Sequence, residues 1–272
     1  HDGSHIKGHI INFLHHFWPS LLAIPNFLQV FITPIVKCTP AAKTKTPVIF
    51  YTTPEYEAWQ EEDPAHKDVN KWRPKYYKGL GTSDAKEAKE YFSNLQRNQL
   101  HFGQMTDSDG ALIDMCFNKK RVADRKQWIS GYQDGTHMDF NRREMKYSDF
   151  VNKEYIIMAV QSNLRGIPHV MDGLKPSQRK ILFACLKRKL HHEIKVAQLA
   201  GYTSEHAAYH HGEASLNSTI VNMAQDYVGS NNINILMPNG QFGTRLMGGK
   251  DDASPRYIFT QLNPITEMIF HP

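Results

Sequence analysis

Ser254-Pro255-Arg256-Tyr257 places a phenol beside a guanidinium. A tyrosine hydroxyl has a pKa of about 10 and is a poor nucleophile at neutral pH. A neighbouring arginine can favour the phenolate and can stabilise the charge that builds on a phosphate during in-line attack. The pair therefore suits phosphoryl transfer through a covalent tyrosine intermediate. Read alone, Arg-Tyr is a common dipeptide, and an ordinary structural pair is the default. Asp2 stands just before a helical pattern, where an aspartate can hold Mg²⁺ together with partner carboxylates and water. One carboxylate is a weak signal. His5 and His9 have a zinc-compatible i,i+4 spacing, but no third ligand is evident nearby. The pairs His191-His192 and His210-His211 make no convincing metal site, although His210 or His211 could donate to a phosphate.

Positive charge is concentrated rather than spread. Residues 165–190 carry Arg165, Lys175, Arg179, Lys180, Lys187, Arg188 and Lys189 against the single acid Asp172, a net +6, while the whole chain carries +5. Such a run can be a solvated face, but here it opens a helix-turn-helix pattern, where cations meet phosphates. Each neutralised phosphate on duplex DNA contributes about −0.9 to the log–log salt slope of binding. The cluster supports DNA binding and cannot by itself confer sequence specificity. The helical segment after Glu213 turns Ser215, Asn217, Ser218 and Asn222 outward, a face that suits a major groove. An amphipathic core helix would show the same periodicity.

The elements that must position these residues are mixed. Residues 5–18 read as a helix capped at Gly3-Ser4, 28–37 and 48–52 as strands, and 55–62 as a short helix. Residues 75–83 read as a strand entering a glycine turn, and 84–98 as one long polar helix. Segments 103–110 and 131–141 read as loops, and 149–161 as a helix. Helices are expected over 176–190, 195–206 and 212–228. Two short strands around a wing-like loop follow, with turns at Asn239-Gly240 and Gly248-Gly249. Three helices and a β wing are the winged-helix plan.

The 272 residues suffice for one or two domains, and 22% charged with 11% aromatic content excludes a disordered chain. Cys38, Cys116 and Cys185 are dispersed, so a disulfide framework or zinc site is disfavoured and all three read as buried small hydrophobes in a reducing compartment. The apolar stretch 10–36 is broken by Pro19, Pro25 and Pro34 and by His15-His16, which excludes a membrane span. No signal peptide is visible, and both ends are abrupt, as expected of a piece of a longer protein.

Taken together, DGSHIKG, FITPIVK, KYYKGLGTS, DRKQW, MDGLKPSQRKILF, KVAQLAG, YHHGE, VGSNNINIL, NGQFGTR, GGKD and ASPRYIFT resemble the eukaryotic-type DNA topoisomerase II family (type IIA topoisomerases). The resemblance spans essentially the whole chain. It implies a mixed α+β fold, with a partial TOPRIM α/β region followed by a winged-helix (helix-turn-helix) domain. The expected divisions are 1–83 for the later part of TOPRIM and the strands after it, 84–164 for a helical connection, and 165–272 for the winged helix. It implies that Tyr257 is the nucleophile, that Arg256 stabilises the transition state, and that His211 lies near the scissile phosphate. Family DNA contacts carry over onto Arg125, Lys126, Lys175, Tyr209 and Ser215. Lys78 falls along the same track, and Arg179 of the basic cluster is counted with them.

The resemblance further implies Mg²⁺ and ATP as cofactors, double-stranded DNA as partner, a homodimer, no membrane, and a nuclear location (cytoplasmic for a large DNA virus). The family's metal site uses a glutamate and an Asp-x-Asp-x-Asp-Gly string, of which this chain retains only Asp2. ATPase, tower and C-terminal gate regions are absent from it, so the piece alone is expected to bind DNA without completing a reaction cycle. A winged-helix module without chemistry would explain the basic cluster but not DGSHIKG, KYYKGLGTS or the setting of Tyr257. A tyrosine recombinase would form a 3′ rather than a 5′ linkage.

Overall fold

The computed structural model describes residues 2–42, 46–77, 83–140, 142–209 and 212–270. The chain divides into two compact units, His1–Gln161 and Ser162–Pro272.

The first unit opens with α1 (Asp2–Phe17) and the short α2 (Pro19–Leu22). The helix runs through Gly3-Ser4 rather than being capped there. Gly8 is needed within it because the Tyr155 ring packs where a β-carbon would sit. The expected strand over 28–37 is two strands in different sheets, β1 (Gln29–Phe31) and β2 (Val36–Pro40). Pro34 lies between them, and a proline cannot donate to a ladder. β2 is central in a sheet with β3 (Val48–Phe50) and β4 (Trp72–Tyr76), both antiparallel to it. α3 (Thr53–Glu62) covers this sheet, started by a Thr52/Glu55 capping box. Their shared core is Val36, Cys38, Phe50, Tyr56 and Trp72.

The polar helix expected over 84–98 is broken at Asn94 (φ −112°, ψ 46°) into α4 (Ala85–Ser93) and α5 (Leu95–Asn98). β5 (Gln99–Phe102) then joins β1 on one side and β6 (Glu144–Met145) on the other. The loop expected over 103–110 gives way to α6 (Asp107–Phe117). Its acidic, glycine-containing start is a capping box, with Thr106 accepting from the Asp109 amide and Asp109 answering on the Thr106 amide. α7 (Val122–Ser130) follows. The helix expected over 149–161 comprises α8 (Tyr147–Asp149), a π-helical stretch Phe150–Tyr155 and α9 (Ile156–Gly166). Ile11, Phe102, Ile113, Tyr147 and Phe150 form the dry centre of the unit.

The second unit contains α10 (Pro176–Arg188), β7 (Ile194–Lys195), α11 (Val196–His206), α12 (Glu213–Ala224), β8 (Phe259–Thr260) and α13 (Pro264–Ile269). α10, α11 and α12 pack around Ile181, Leu199, Leu216, Ile220 and Leu236, each 0% exposed. This is the winged-helix plan, with corrections to its edges. α10 stops at Arg188 because Lys189 turns left-handed (φ 52°). α12 stops at Ala224, and Gln225 (φ −56°, ψ 133°) leads out of it. The segment 232–251 forms no strand pair of its own. It is joined to the following chain by single bridges, Leu236 to Leu262 and Asn239 to Phe259, while β8 pairs with β7. Gly240, Gly243, Gly248 and Gly249 all have positive φ, which a regular ladder does not accommodate.

Cys38, Cys116 and Cys185 are free. Cys116 is half-buried rather than buried. Burial pushes the Cys116 and Cys185 thiols up to about 12, so neither is a thiolate at neutral pH.

Gly249 (φ +77°) is closed in: a β-carbon there would lie 2.5 Å from Gln225 Nε2 and 2.6 Å from the Tyr227 hydroxyl. Gly249→Ala is expected to destabilise the second unit by roughly 1–3 kcal/mol through backbone strain, more if the contacts cannot yield. Chemical denaturation of wild type and variant measures this.

Candidate nucleic-acid interface

Tyr257 is held at the surface by its own neighbours. Its side chain is 75% exposed, whereas Ile258 beside it is 1% exposed and part of the core. The Tyr257 amide donates to Ser254 O at 2.8 Å, closing a tight turn. The first turn of α11 holds that turn. Val196 N–H donates to Ile258 O at 3.0 Å, and Ala197 N–H donates to Pro255 O at 3.1 Å. The first amides of a helix have no partner within it, and here two of them bind carbonyls on either side of the tyrosine. Phe259 and Asn239 exchange backbone hydrogen bonds at 2.9 and 3.1 Å and fix the chain beyond. Arg256 is exposed, and among the described residues neither it nor Tyr257 engages its side chain in a hydrogen bond or ion pair.

The loop before this turn is braced from inside. Gln225, buried at the end of α12, donates its Nε2 to Phe242 O at 2.8 Å and Gly249 O at 3.3 Å. Asp251 accepts from the Thr244 amide at 2.7 Å and the Thr244 hydroxyl at 2.8 Å. The amide bond is the main reason its carboxyl lies below the ordinary range. Ala253 N–H reaches Gln241 O at 2.9 Å. The tip these bonds define exposes Arg245, Leu246, Met247 and Lys250. None of these braces was singled out from the sequence. The one available signal was glycine spacing, because Gly243 and Gly249 lie where backbones touch.

The basic run resolves into separate roles. Lys175 is half-buried at the N-cap of α10, where its amide donates to Gln178 Oε1 at 2.8 Å. A cation at a helix N-terminus opposes the helix dipole, whereas an anion there is favoured by both the dipole and the cation. Arg179 is paired with Asp172 through bonds of 2.7–3.0 Å. Asp172 also accepts from Leu174 N–H at 2.9 Å, and that bond, ahead of Arg179, lowers its carboxyl below the usual range. The lone acid of the run thus orders the loop before α10. Lys180 donates to Ala208 O at 2.8 Å, and the Arg188 guanidinium lies 4.9 Å from the Tyr202 ring centre.

On α12, Ser215, Ser218 and Asn222 are exposed as expected. Asn217 departs from that face: it is half-buried, and its Oδ1 is buried without a partner among the described residues. Tyr209 has its ring in the core, 7% exposed, and its hydroxyl donates to Ser215 Oγ at 3.2 Å.

In the first unit, Lys126 is exposed on α7. Arg125 is half-buried, with Nη1 on Met115 O at 2.9 Å and Asn118 O at 2.5 Å, so it caps the C-terminal end of α6. Lys78 and His211 lie outside the described residues, as does the side chain of Asp2. Among the described residues no three His, Cys, Asp or Glu side chains gather as a metal site. No helix among them is long and apolar enough to cross a membrane.

These features define a winged-helix protein with a mixed α/β companion unit and a surface tyrosine beside an arginine. Residues 165–272 match the family model for DNA gyrase/topoisomerase IV, and residues 31–163 that for the C-terminal associated domain of TOPRIM. The chain is 56% identical over 270 residues to DNA topoisomerase 2 of Arabidopsis thaliana and 54% identical over 272 residues to DNA topoisomerase 2 of Saccharomyces cerevisiae. These matches cover 99% and 100% of this chain but 18% and 19% of those relatives. A crystal structure of the Plasmodium falciparum topoisomerase II DNA-binding, cleavage and re-ligation domain is similar with a TM-score of 0.86 at 51% identity, covering 99% of this chain and 36% of that one. The chain belongs to the type II DNA topoisomerases, and it spans less than a fifth of the length of the curated relatives it matches.

Ile258→Ala should cost about 2–5 kcal/mol through a core cavity. It should also free the tyrosine turn. Thermal unfolding would give the first effect, and faster amide exchange at Val196 and Ala197 the second.

Proposed function

We propose that this chain is the DNA-binding and cleavage region of an ATP-dependent type IIA topoisomerase. The observation that carries the reading is Tyr257, exposed beside an exposed Arg256 on a turn fixed to the start of α11. The duplex lies against the winged helix, with Lys175 and the α10 N-terminus on one phosphate. Ser215 contacts the backbone, with Tyr209 holding its hydroxyl in place. Arg179 adds to the positive field while Asp172 fixes its position. Arg125, Lys126 and Lys78 of the first unit are assigned as further phosphate contacts on family likeness. His211 is assigned beside the scissile phosphate.

In the reaction, Tyr257 Oη attacks phosphorus, the phosphorus–O3′ bond breaks, and a 5′-phosphotyrosyl link and a 3′-hydroxyl result. The phenolic proton is lost to the surroundings, and the departing 3′ oxygen gains one. Arg256 stabilises the charge on the phosphate oxygens as the bond forms. The link preserves the phosphodiester energy, so the reverse attack by the 3′-hydroxyl reseals the strand. Mg²⁺ is the cofactor the family calls for; when bound it polarises phosphate oxygens. Because the described carboxylates do not assemble its site, no step here runs through it. ATP serves strand passage in a region outside this stretch. The acting form is a homodimer working on nuclear DNA, or in the cytoplasm for a large DNA virus. A winged-helix module without chemistry is the weaker reading, because the family likeness extends over the first unit as well as the second.

Two outcomes test the reading in the full-length protein. Tyr257→Phe should bind duplex DNA as tightly as wild type yet leave no protein on 5′ ends after Mg²⁺ incubation and detergent quench. An adduct surviving in Tyr257→Phe refutes the assignment, and a 3′ adduct points to a recombinase-like reaction. Lys175→Ala should weaken binding to all sequences alike and flatten the log–log salt slope by about 0.9, as read by fluorescence anisotropy.

A further inference from the structure

The tip of the loop before Tyr257 presents apolar side chains that its own unit does not use. Leu246 is 92% exposed and Met247, beside it, is 55% exposed. The turn that carries them is nevertheless fixed. Gly248 N–H donates to Arg245 O at 3.2 Å, Gly249 N–H to Thr244 O at 2.9 Å, and Lys250 N–H to Met247 O at 3.3 Å. Beneath it, a β-carbon on Gly243 would lie 2.6 Å from Gly249 Cα, so two backbones touch and the neck of the tip is narrow. Gln225, at the C-terminal end of α12, anchors that neck through Phe242 O and Gly249 O. A fixed turn whose outermost residues are apolar and unpacked has the character of a contact surface.

The charges select its partner. Arg245 and Lys250 flank the pair, both exposed and, among the described residues, without an ion pair. The turn 245–250 contains no acid; Asp251 is folded onto Thr244, and the exposed Asp252 stands past it. A second copy of this chain set against the tip about a two-fold axis would bring like cations together, which is repulsive. A minor groove offers both surfaces the tip needs: phosphates on its rims, and sugar and base edges on walls about 6 Å apart. Proteins that enter that groove combine cations with apolar wedges such as leucine and methionine. With α12 facing a major groove, a projection fixed to its C-terminal end falls over the neighbouring minor groove.

We infer that Leu246 and Met247 form a minor-groove contact, with Arg245 and Lys250 on the flanking phosphates, on the duplex that Tyr257 attacks. The inference rests on the DNA-binding reading above and adds to it a contact that salt does not govern.

The test measures duplex binding by the full-length protein, by anisotropy across a salt series without Mg²⁺. The duplex is A·T-rich and is used with and without saturating netropsin, a minor-groove ligand. Leu246→Ala combined with Met247→Ala should weaken binding about tenfold at every salt concentration and leave the log–log slope at its wild-type value. Arg245→Ala and Lys250→Ala should each flatten the slope by about 0.9. Netropsin should abolish the difference between wild type and the double alanine variant. Thermal unfolding of that variant should match wild type, because the pair packs on nothing. The volume-conserving exchange Leu246→Met with Met247→Leu should keep wild-type affinity. Wild-type affinity in the double alanine variant overturns the inference, and altered sedimentation or weaker binding to anionic vesicles would then name a protein or a lipid partner instead. A difference that persists under netropsin also overturns it. Both failures leave the assignment of Tyr257 standing, since that is read from the covalent adduct, whereas a wild-type protein that binds no duplex overturns both.

Discussion

The second unit depends on two backbone hydrogen bonds at the start of α11. A helix begins with amides that its own ladder cannot satisfy. A side-chain cap usually answers part of that need, but Lys195, at the N-cap of α11, provides no such bond. The carbonyls of Pro255 and Ile258 answer instead. The consequence runs in both directions. The start of the helix and the tyrosine turn therefore support one another, alongside the Phe259–Asn239 pair that fixes the chain beyond. Tyr257 therefore gains a defined position without burying its ring, which leaves the phenol open to a large partner. Ile258, one residue on, supplies the apolar anchor that a fully exposed turn would lack.

The same economy governs charge. A basic run of net +6 would repel itself if its members were equivalent. They are not equivalent. Arg179 is held in place by Asp172, Lys180 rests on a carbonyl, and Arg188 lies over the Tyr202 ring. Each contact keeps the cation while restricting its side chain. Lys175 is placed differently, at the positive end of α10, where electrostatics alone would discourage a lysine. A residue in a locally unfavourable position is intelligible when the missing partner is an anion, and this separates Lys175 from the structural cations around it.

The helices of the winged unit were legible because their cores repeat at helical spacing. Ile181, Leu182 and Cys185 on α10 and Leu216, Ile220 and Met223 on α12 face one interior. Ser215, Ser218 and Asn222 could be placed on the outer face by the same reasoning. Asn217 could not, because its burial depends on packing against other elements. Pro34 was read only as an interruption of an apolar stretch, and the strand was drawn through it; that the chain changes sheets there depends on β4 and β5, residues far along. The start of α6 was misread for a local reason. Thr106-Asp107-Ser108-Asp109-Gly110 has the composition of a loop, and only the reciprocal Thr106 and Asp109 bonds distinguish a cap from a turn. Tyr257 itself was legible through family likeness and not through chemistry, since no local pattern separates a nucleophilic Arg-Tyr pair from any other.

Two junctions are held by different means. The turn carrying Tyr257 is fixed by neutral backbone pairs and an isoleucine, interactions that salt barely touches. The end of β4 and the start of α4 are instead joined through an ionised carboxylate, Glu87, with Lys75, Tyr77 and the Asp84 amide around it. An ionic clamp requires all its partners, since a buried carboxylate stripped of its donors is costly. A neutral anchor suits a residue that must hold one position while charge develops beside it, because it leaves the Arg256 guanidinium free of any structural ion pair.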